Sequence, residues 1–203
     1  MEVIIISLPE RLNDRLIFLK EYLNERNIDF IVVDAIKKDN GAEGLIETMK
    51  KVYELCLKSD FENVLILEDD AEFIVDKPLE LIEKCMPQLP KDFDLLYLGC
   101  NLFQTKVELY TPNLIQVFGA WALQSVIYSR KGIEKCLKAV EERDNDMPLD
   151  TLIVEKVQPD GKSFCTYPMI VSQRKGYSDI QKKNTDYSEY LINRFNDRTK
   201  NIT

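Results

Sequence analysis

Three consecutive acids, Glu68, Asp69 and Asp70, follow directly on the apolar run Leu65-Ile66-Leu67. Adjacent carboxylates at the end of a buried strand repel one another unless a cation stands among them. A divalent metal meets that need. Hard oxygen ligands hold Mg²⁺ or Mn²⁺, and a nucleotide diphosphate supplies further oxygens. Such an ion would neutralise charge on a departing diphosphate as a Lewis acid. The same residues also read as a strand that ends in an acidic turn, and their spacing leaves both readings open.

The chain of 203 residues contains no histidine. That excludes Ser-His-Asp and Cys-His nucleophiles, His-ligated zinc and the HExxH helix. Acid–base chemistry near neutral pH therefore falls to carboxylates or to a shifted Lys, Tyr or Cys. The five cysteines (Cys56, Cys85, Cys100, Cys136 and Cys165) are odd in number and form no CxxC pair. They read as reduced, mostly buried thiols of a cytoplasmic protein. The apolar run over 3–8 is too short for a secretory leader or a membrane span.

Several elements must position these acids. Residues 3–7 form a continuous branched run, as in a buried parallel strand. Leu12, Leu16, Leu19 and Leu23 are spaced for one helix face. A second branched run over 28–33 ends in Asp34, and Gly41 and Gly44 mark a loop. Leu45, Met49, Val52 and Cys56 line a second helix, and 63–67 is a third strand. This is a βαβαβ unit with a parallel sheet, whose ligands bind beyond the carboxyl ends of its strands. Ser7, Asp34 and the acidic run all fall at such ends. The second half predicts a helix over 78–86 that starts at its proline, strands over 94–98, 114–118 and 123–128, and a helix over 130–141 capped by Ser129. A short helix at Asp150, a strand over 163–166 and a helix over 186–195 complete it. With 45% hydrophobic residues and no linker or repeat, residues 1–203 read as a single domain.

The net charge of −8 and the lack of a basic stripe exclude nucleic acid as a partner. From Arg174 onward seven Lys and Arg stand against four Asp and Glu. That tail suits a diphosphate or peripheral contact with an anionic membrane, or is a solvated helix. Trp121, the only tryptophan, is either a platform for a sugar's C–H face or a core residue. Tyr177 and Tyr187 are further candidates for an acceptor cleft.

Taken in order, several short motifs resemble glycosyltransferase family 25, nucleotide-sugar-dependent transferases that include lipooligosaccharide and collagen galactosyltransferases. They are Ile6-Ser7-Leu8-Pro9-Glu10-Arg11, Val33-Asp34-Ala35, Leu67-Glu68-Asp69-Asp70, Leu95-Leu96-Tyr97-Leu98-Gly99, Tyr128-Ser129-Arg130, Pro148-Leu149-Asp150, and Gln173 with Ser178-Asp179-Ile180. The sequence departs from the family at Thr48, Met49 and Gln124. The resemblance implies an α/β chain with a GT-A-like, Rossmann-type mixed sheet and helices on both faces. It places a nucleotide-sugar over residues 1–100 and an acceptor over 101–203. It implies a metal-dependent, inverting transfer of galactose or glucose from a UDP-sugar to a glycan or other hydroxyl acceptor, in lipopolysaccharide-type biosynthesis. In that reading Glu68 and Asp70 hold Mn²⁺ or Mg²⁺, and Asp69 bonds to ribose or sugar. Asp34 meets the uracil or ribose, Ser7, Leu8 and Pro9 hold the base, and Arg11, Arg15 and Asp179 stand by the donor. Asp150 is the base, with Asp144 and Asp146 as rivals. The alternative is a catalytically weak or inactive sugar-nucleotide- or glycan-binding module of the same fold.

Overall fold

The computed structural model describes residues 1–103, 105–144 and 146–202. In chain order the first half runs β1 (Glu2–Ser7), α1 (Ile17–Asn24), β2 (Ile31–Asp34), α2 (Gly41–Lys58), β3 (Asn63–Glu68), β4 (Ala71–Phe73), α3 (Pro78–Cys85) and β5 (Leu95–Tyr97). The second half runs β6 (Val107–Thr111), β7 (Leu114–Val117), β8 (Ser125–Ser129), α4 (Arg130–Glu141), α5 (Leu149–Lys156), β9 (Ser163–Thr166), β10 (Val171–Gln173), β11 (Gly176–Ser178), β12 (Lys183–Thr185) and α6 (Ser188–Thr199).

Eight strands form one mixed sheet in the order β2-β1-β3-β8-β5-β9-β7-β6. β1 is parallel to both β2 and β3, and β5 is parallel to β9. β8 runs antiparallel between β3 and β5. The strands β1, β2, β3, β5 and β9 therefore point the same way and share one carboxyl edge.

Alternation along the strands divides the core in two. Val3 and Ile5 of β1 pack with Leu19, Leu23 and Ile82 of α1 and α3. Ile4 and Ile6 face the other way, towards Met49 and Val52 of α2, Ile133 of α4, Ile153 of α5 and Phe195 of α6. Helices thus cover both faces, and the continuous apolar runs of β1 and β3 are strands buried on both sides, whereas β2, at the sheet edge, leaves Ile31 and Val32 exposed. α6 turns Leu191 and Phe195 into this core. No described helix is long and apolar enough to cross a membrane.

Several local expectations change. Gly41 and Gly44 belong to α2, not to a loop, because the Asn40 side chain accepts from the Ala42 N–H at 3.1 Å and starts the helix there. A Cβ on Gly44 would stand 2.3 Å from the Ile36 carbonyl oxygen, so the glycine serves close packing. The first helix is not continuous. A 3-10 turn (Pro9–Arg11) and a π turn (Leu12–Leu16) precede α1, and Leu12 is exposed while Leu16 is buried. The expected helix over 186–195 begins at Ser188 and runs on to Thr199.

Five short strands lie outside the sequence reading: β4, β6, β10, β11 and β12. Two of them, β4 and β10, meet beside the acidic run. β10 pairs antiparallel with β4, which sets Gln173 opposite Ala71. A Cβ on Gly99 would stand 1.8 Å from the Val171 carbonyl oxygen, so only glycine lets β10 cross the end of β5 this closely.

Candidate active site

The parallel register sets Ile6 opposite Glu68, so β1 and β3 deliver Ser7 and the three acids to one point on the carboxyl edge. Ser7 Oγ donates to Asp69 Oδ2 at 2.6 Å. Arg15, carried on the π turn, reaches into the same place. Its Nη2 pairs with Asp69 Oδ1 and lies 2.8 Å from Asp70 Oδ2. Gln173 Nε2 donates to Asp70 Oδ2 at 2.8 Å, and the Arg174 N–H donates to the Asp70 carbonyl at 2.7 Å. The Glu68 N–H donates to the Gln124 carbonyl at 3.0 Å, which ties the end of β3 to the entry of β8.

Burial governs the electrostatics here. It pushes Glu68 up to about 8, helped by the charge of Asp70 and opposed by Arg15. It raises Asp69 to about 6, against the pull of Arg15 and the Ser7 hydroxyl. Asp70 also rises through burial, against Arg15 and Gln173. Arg15 therefore relieves part of the repulsion that the acidic run creates. Asp70 Oδ1 is still buried without a hydrogen-bond partner. An orphaned carboxylate oxygen beside a second carboxyl with a raised pKa fits a divalent cation. Among the described residues no group of three or more His, Cys, Asp or Glu converges as a closed cage. Glu68 and Asp70 would make an open site of the kind that Mg²⁺ completes with water and substrate phosphate.

The acids line a cleft of about 510 Å³. Of the donor-side candidates, Ser7, Leu8, Arg11, Arg15, Asp69 and Asp179 all line it. Lys37, Lys38 and Lys182 line it too, so five cationic side chains share the cleft with five carboxylates, Asp39, Glu68, Asp69, Asp70 and Asp179. Pro9 and Asp34 do not. Pro9 is an exposed start to the 3-10 turn. Asp34 pairs with Ser7 at the strand end, but the alternation that buries Val33 turns Asp34 outward, beside Lys51, Glu54 and Lys58.

The β11–β12 hairpin straps the cleft. Arg11 donates through Nε and Nη2 to the two Asp179 oxygens, at 2.9 and 2.7 Å. This pairing holds the Asp179 carboxyl below its usual range. The Arg11 guanidinium lies 5.0 Å from the Tyr177 ring centroid, and Arg15 Nη1 donates to the Tyr177 carbonyl at 3.2 Å.

A second cavity of about 730 Å³ shares Glu68 and Gln173 with the first. Asp150, in the first turn of α5, opens into it and accepts from the Thr151 N–H at 2.8 Å. Trp121 is half-buried on its wall and is not a core residue. Backbone bonds to Asn101 in both directions, at 2.8 and 3.0 Å, hold it there. Phe103, Tyr187 and Tyr190 add aromatic wall, whereas Tyr177 lines the first cleft. Asp144 and Asp146 are exposed and line neither space. Gln124 lines the second cavity. Thr48 and Met49 do not face the site. Thr48 Oγ1 accepts from the Ile36 N–H at 2.8 Å and donates to the Gly44 carbonyl at 2.7 Å, and Met49 is core.

Sequence reasoning missed Lys37, Lys38, Asn101, Phe103 and Tyr190. The two lysines were findable, because they follow the carboxyl end of β2 as Ser7 ends β1. Phe103 and Tyr190 had no local signal, since α6 meets the loop after β5 only in three dimensions.

No protein-family model matches the sequence, and no curated protein matches it. Among solved structures, the fold matches a glycosyltransferase involved in the glycosylation of the major capsid of PBCV-1, with a TM-score of 0.56 at 11% identity, over 94% of this chain and 98% of that one. A Drosophila β1,4-galactosyltransferase 7 mutant crystallised with manganese, UDP-Gal and xylobiose gives 0.48 at 10% identity, over 91% of this chain and 74% of that one. A197 from STIV gives 0.46 at 10% identity, over 87% and 96%. The chain has a GT-A-like glycosyltransferase fold.

Proposed function

We propose that this chain is a metal-dependent, inverting glycosyltransferase similar to family 25. It moves galactose or glucose from a UDP-sugar to a hydroxyl of a saccharide or other acceptor. The observation that carries this reading is the position of Glu68 and Asp70. Both line a cleft that also holds five cationic side chains, and Glu68 is shared with an aromatic cavity that holds a further carboxylate, Asp150.

The cationic side chains of the cleft, Arg11, Arg15, Lys37, Lys38 and Lys182, support diphosphate binding. Ser7 and Leu8 take the nucleoside side. Asp69, bonded to Ser7 and Arg15, positions that arginine. Glu68 and Asp70 would hold Mn²⁺ or Mg²⁺, which when bound offsets charge on the leaving diphosphate. The acceptor oxygen bonds to the anomeric carbon as the bond to the β-phosphate oxygen breaks. The electron pair leaves with UDP, and the Asp150 carboxylate takes the acceptor proton. A single displacement of this kind inverts the anomeric centre. Five free, buried cysteines accord with a cytoplasmic setting.

UDP release from UDP-galactose and UDP-glucose, measured with and without lactose or cellobiose, tests the reading. Release that needs Mn²⁺ or Mg²⁺ and rises with acceptor is expected. Release that ignores both metal and acceptor contradicts it.

A further inference from the structure

The eight-stranded sheet ends in two edge strands, β2 and β6. An open edge is a template for another strand, and proteins protect it with charges, prolines or bulges. β6 exposes Leu109 and Tyr110 but is protected. Lys106 pairs with Glu108 at its start, and its register breaks between Leu109 and Thr111. β2 has no such protection. Ile31-Val32-Val33 contains no charge and no proline, and its register with β1 is unbroken. Ile31 and Val32 are 43% and 37% exposed. Consecutive residues of a strand face opposite ways, so both faces of this edge leave an apolar side chain uncovered. The Ala35 N–H donates inward to the Ser7 carbonyl at 2.8 Å, so alternation turns the N–H and C=O of Val32 and Asp34 outward.

The charges beside this edge are balanced. Lys51, Glu54, Leu55 and Lys58 share one face of α2, and with Val32, Val33 and Asp34 they line a groove of about 400 Å³. Leu55 is exposed there as well. Two cations, Lys51 and Lys58, stand with two acids, Asp34 and Glu54. Among the described residues none of these four forms an ion pair within the chain. A partner segment of one charge sign would answer only half of the set. A second copy turned by a twofold axis answers all of it, because each copy brings the acid for the other's lysine.

We propose that β2 is a dimer edge: it pairs antiparallel with β2 of a second copy of this chain, across a twofold axis normal to the sheet at Val33. Val32 of each copy then lies opposite Asp34 of the other, and each such pair exchanges two N–H···O=C bonds. The two eight-stranded sheets become one. Ile31, Val32 and Leu55 are covered, and the two α2 helices lie antiparallel with Lys51 of each facing Glu54 of the other. The axis turns the two carboxyl edges in opposite directions, so both clefts stay open. The pairing is independent of the transferase reading.

Sedimentation velocity of the full chain at rising concentration, under reducing conditions, tests this. A reversible shift from 23.7 kDa to twice that mass is expected. Hydrogen exchange at the Val32 and Asp34 amides should slow over the same concentrations. Val32→Lys, which sets a charge on the exposed edge, should keep the Tm of the dilute protein and lose the dimer. Lys51→Glu should raise the dimer dissociation constant about tenfold or more, and Lys51→Glu combined with Glu54→Lys should restore it. A protein still monomeric at about 1 mM overturns the proposal. So does a dimer that either Val32→Lys or Lys51→Glu leaves unchanged. Mass that grows past the dimer also overturns it, because a β2-to-β6 contact between copies does not close.

Discussion

Arg15 Nη2 lies 2.8 Å from Asp70 Oδ2, so the chain itself supplies the first cation to its own acidic run. The same nitrogen pairs with Asp69. A divalent ion would join an arrangement that is already partly neutralised, through the Asp70 oxygen that Arg15 leaves free.

Arg15→Met tests this sharing. Removing one partner of a largely buried ion pair should cost about 2–4 kcal/mol of metal-free stability. Mn²⁺ should restore part of it and raise Tm more in the variant than in the parent. Thermal unfolding with and without Mn²⁺ measures both effects. An equal rise in the two proteins would mean that Arg15 and the metal do not share these carboxylates.

Glu68 makes metal-free stability depend on pH with a definite sign. Its carboxyl titrates at about 8 in the fold, against an ordinary value of 4.5. Between these values the folded state holds a proton that the unfolded state has lost, so stability falls as pH rises through that window. The loss by about pH 8 should be on the order of a few kcal/mol. Asp69, raised to about 6, adds to it at the acid end of the window. Glu68→Gln should flatten the profile, and Mn²⁺ should stabilise more at the alkaline end because it displaces the proton. Urea midpoints measured across the range decide this.

Asp179 has the opposite sign. Arg11 holds its carboxyl low, so the pair contributes stability at neutral pH that disappears as pH falls through the folded-state pKa. Both side chains are partly exposed, and Asp179→Asn should cost no more than about 1 kcal/mol globally. The local effect should be larger. Trypsin should cut at Lys175, Lys182 or Lys183 faster in the variant, because the hairpin has lost its bidentate strap.

Asp150→Asn separates proton removal from donor binding. Loss of the base should lower kcat by about 10²–10⁴-fold with UDP affinity unchanged. A parallel fall in UDP affinity would give Asp150 a place in the donor site instead.

The first 70 residues were legible because each strand there is a continuous branched run and each helix carries a long apolar face. The carboxyl-edge rule then pointed to Ser7 and Glu68, which the sheet brings to one edge and which both line the cleft. Asp34 reaches the same edge but turns away from the cleft, because reaching the end of a strand does not decide which face a side chain takes. The strands missed later are mostly short or polar and pair with distant partners. β10 is legible only beside β4, and with it the Gln173–Asp70 bond. Repulsion among the acids was also legible, but not that Arg15 would answer it from a π turn about fifty residues earlier. Thr48 and Met49 looked like site positions by resemblance, whereas their helix turns them into the core.

Calorimetry of UDP binding tests the central claim most directly. It is run with Mn²⁺, again with excess chelator, and again on Asp70→Asn. Binding that needs the metal and is lost in the variant is the predicted result. UDP binding that is unchanged by chelator and by the variant, or absent throughout, would contradict the account.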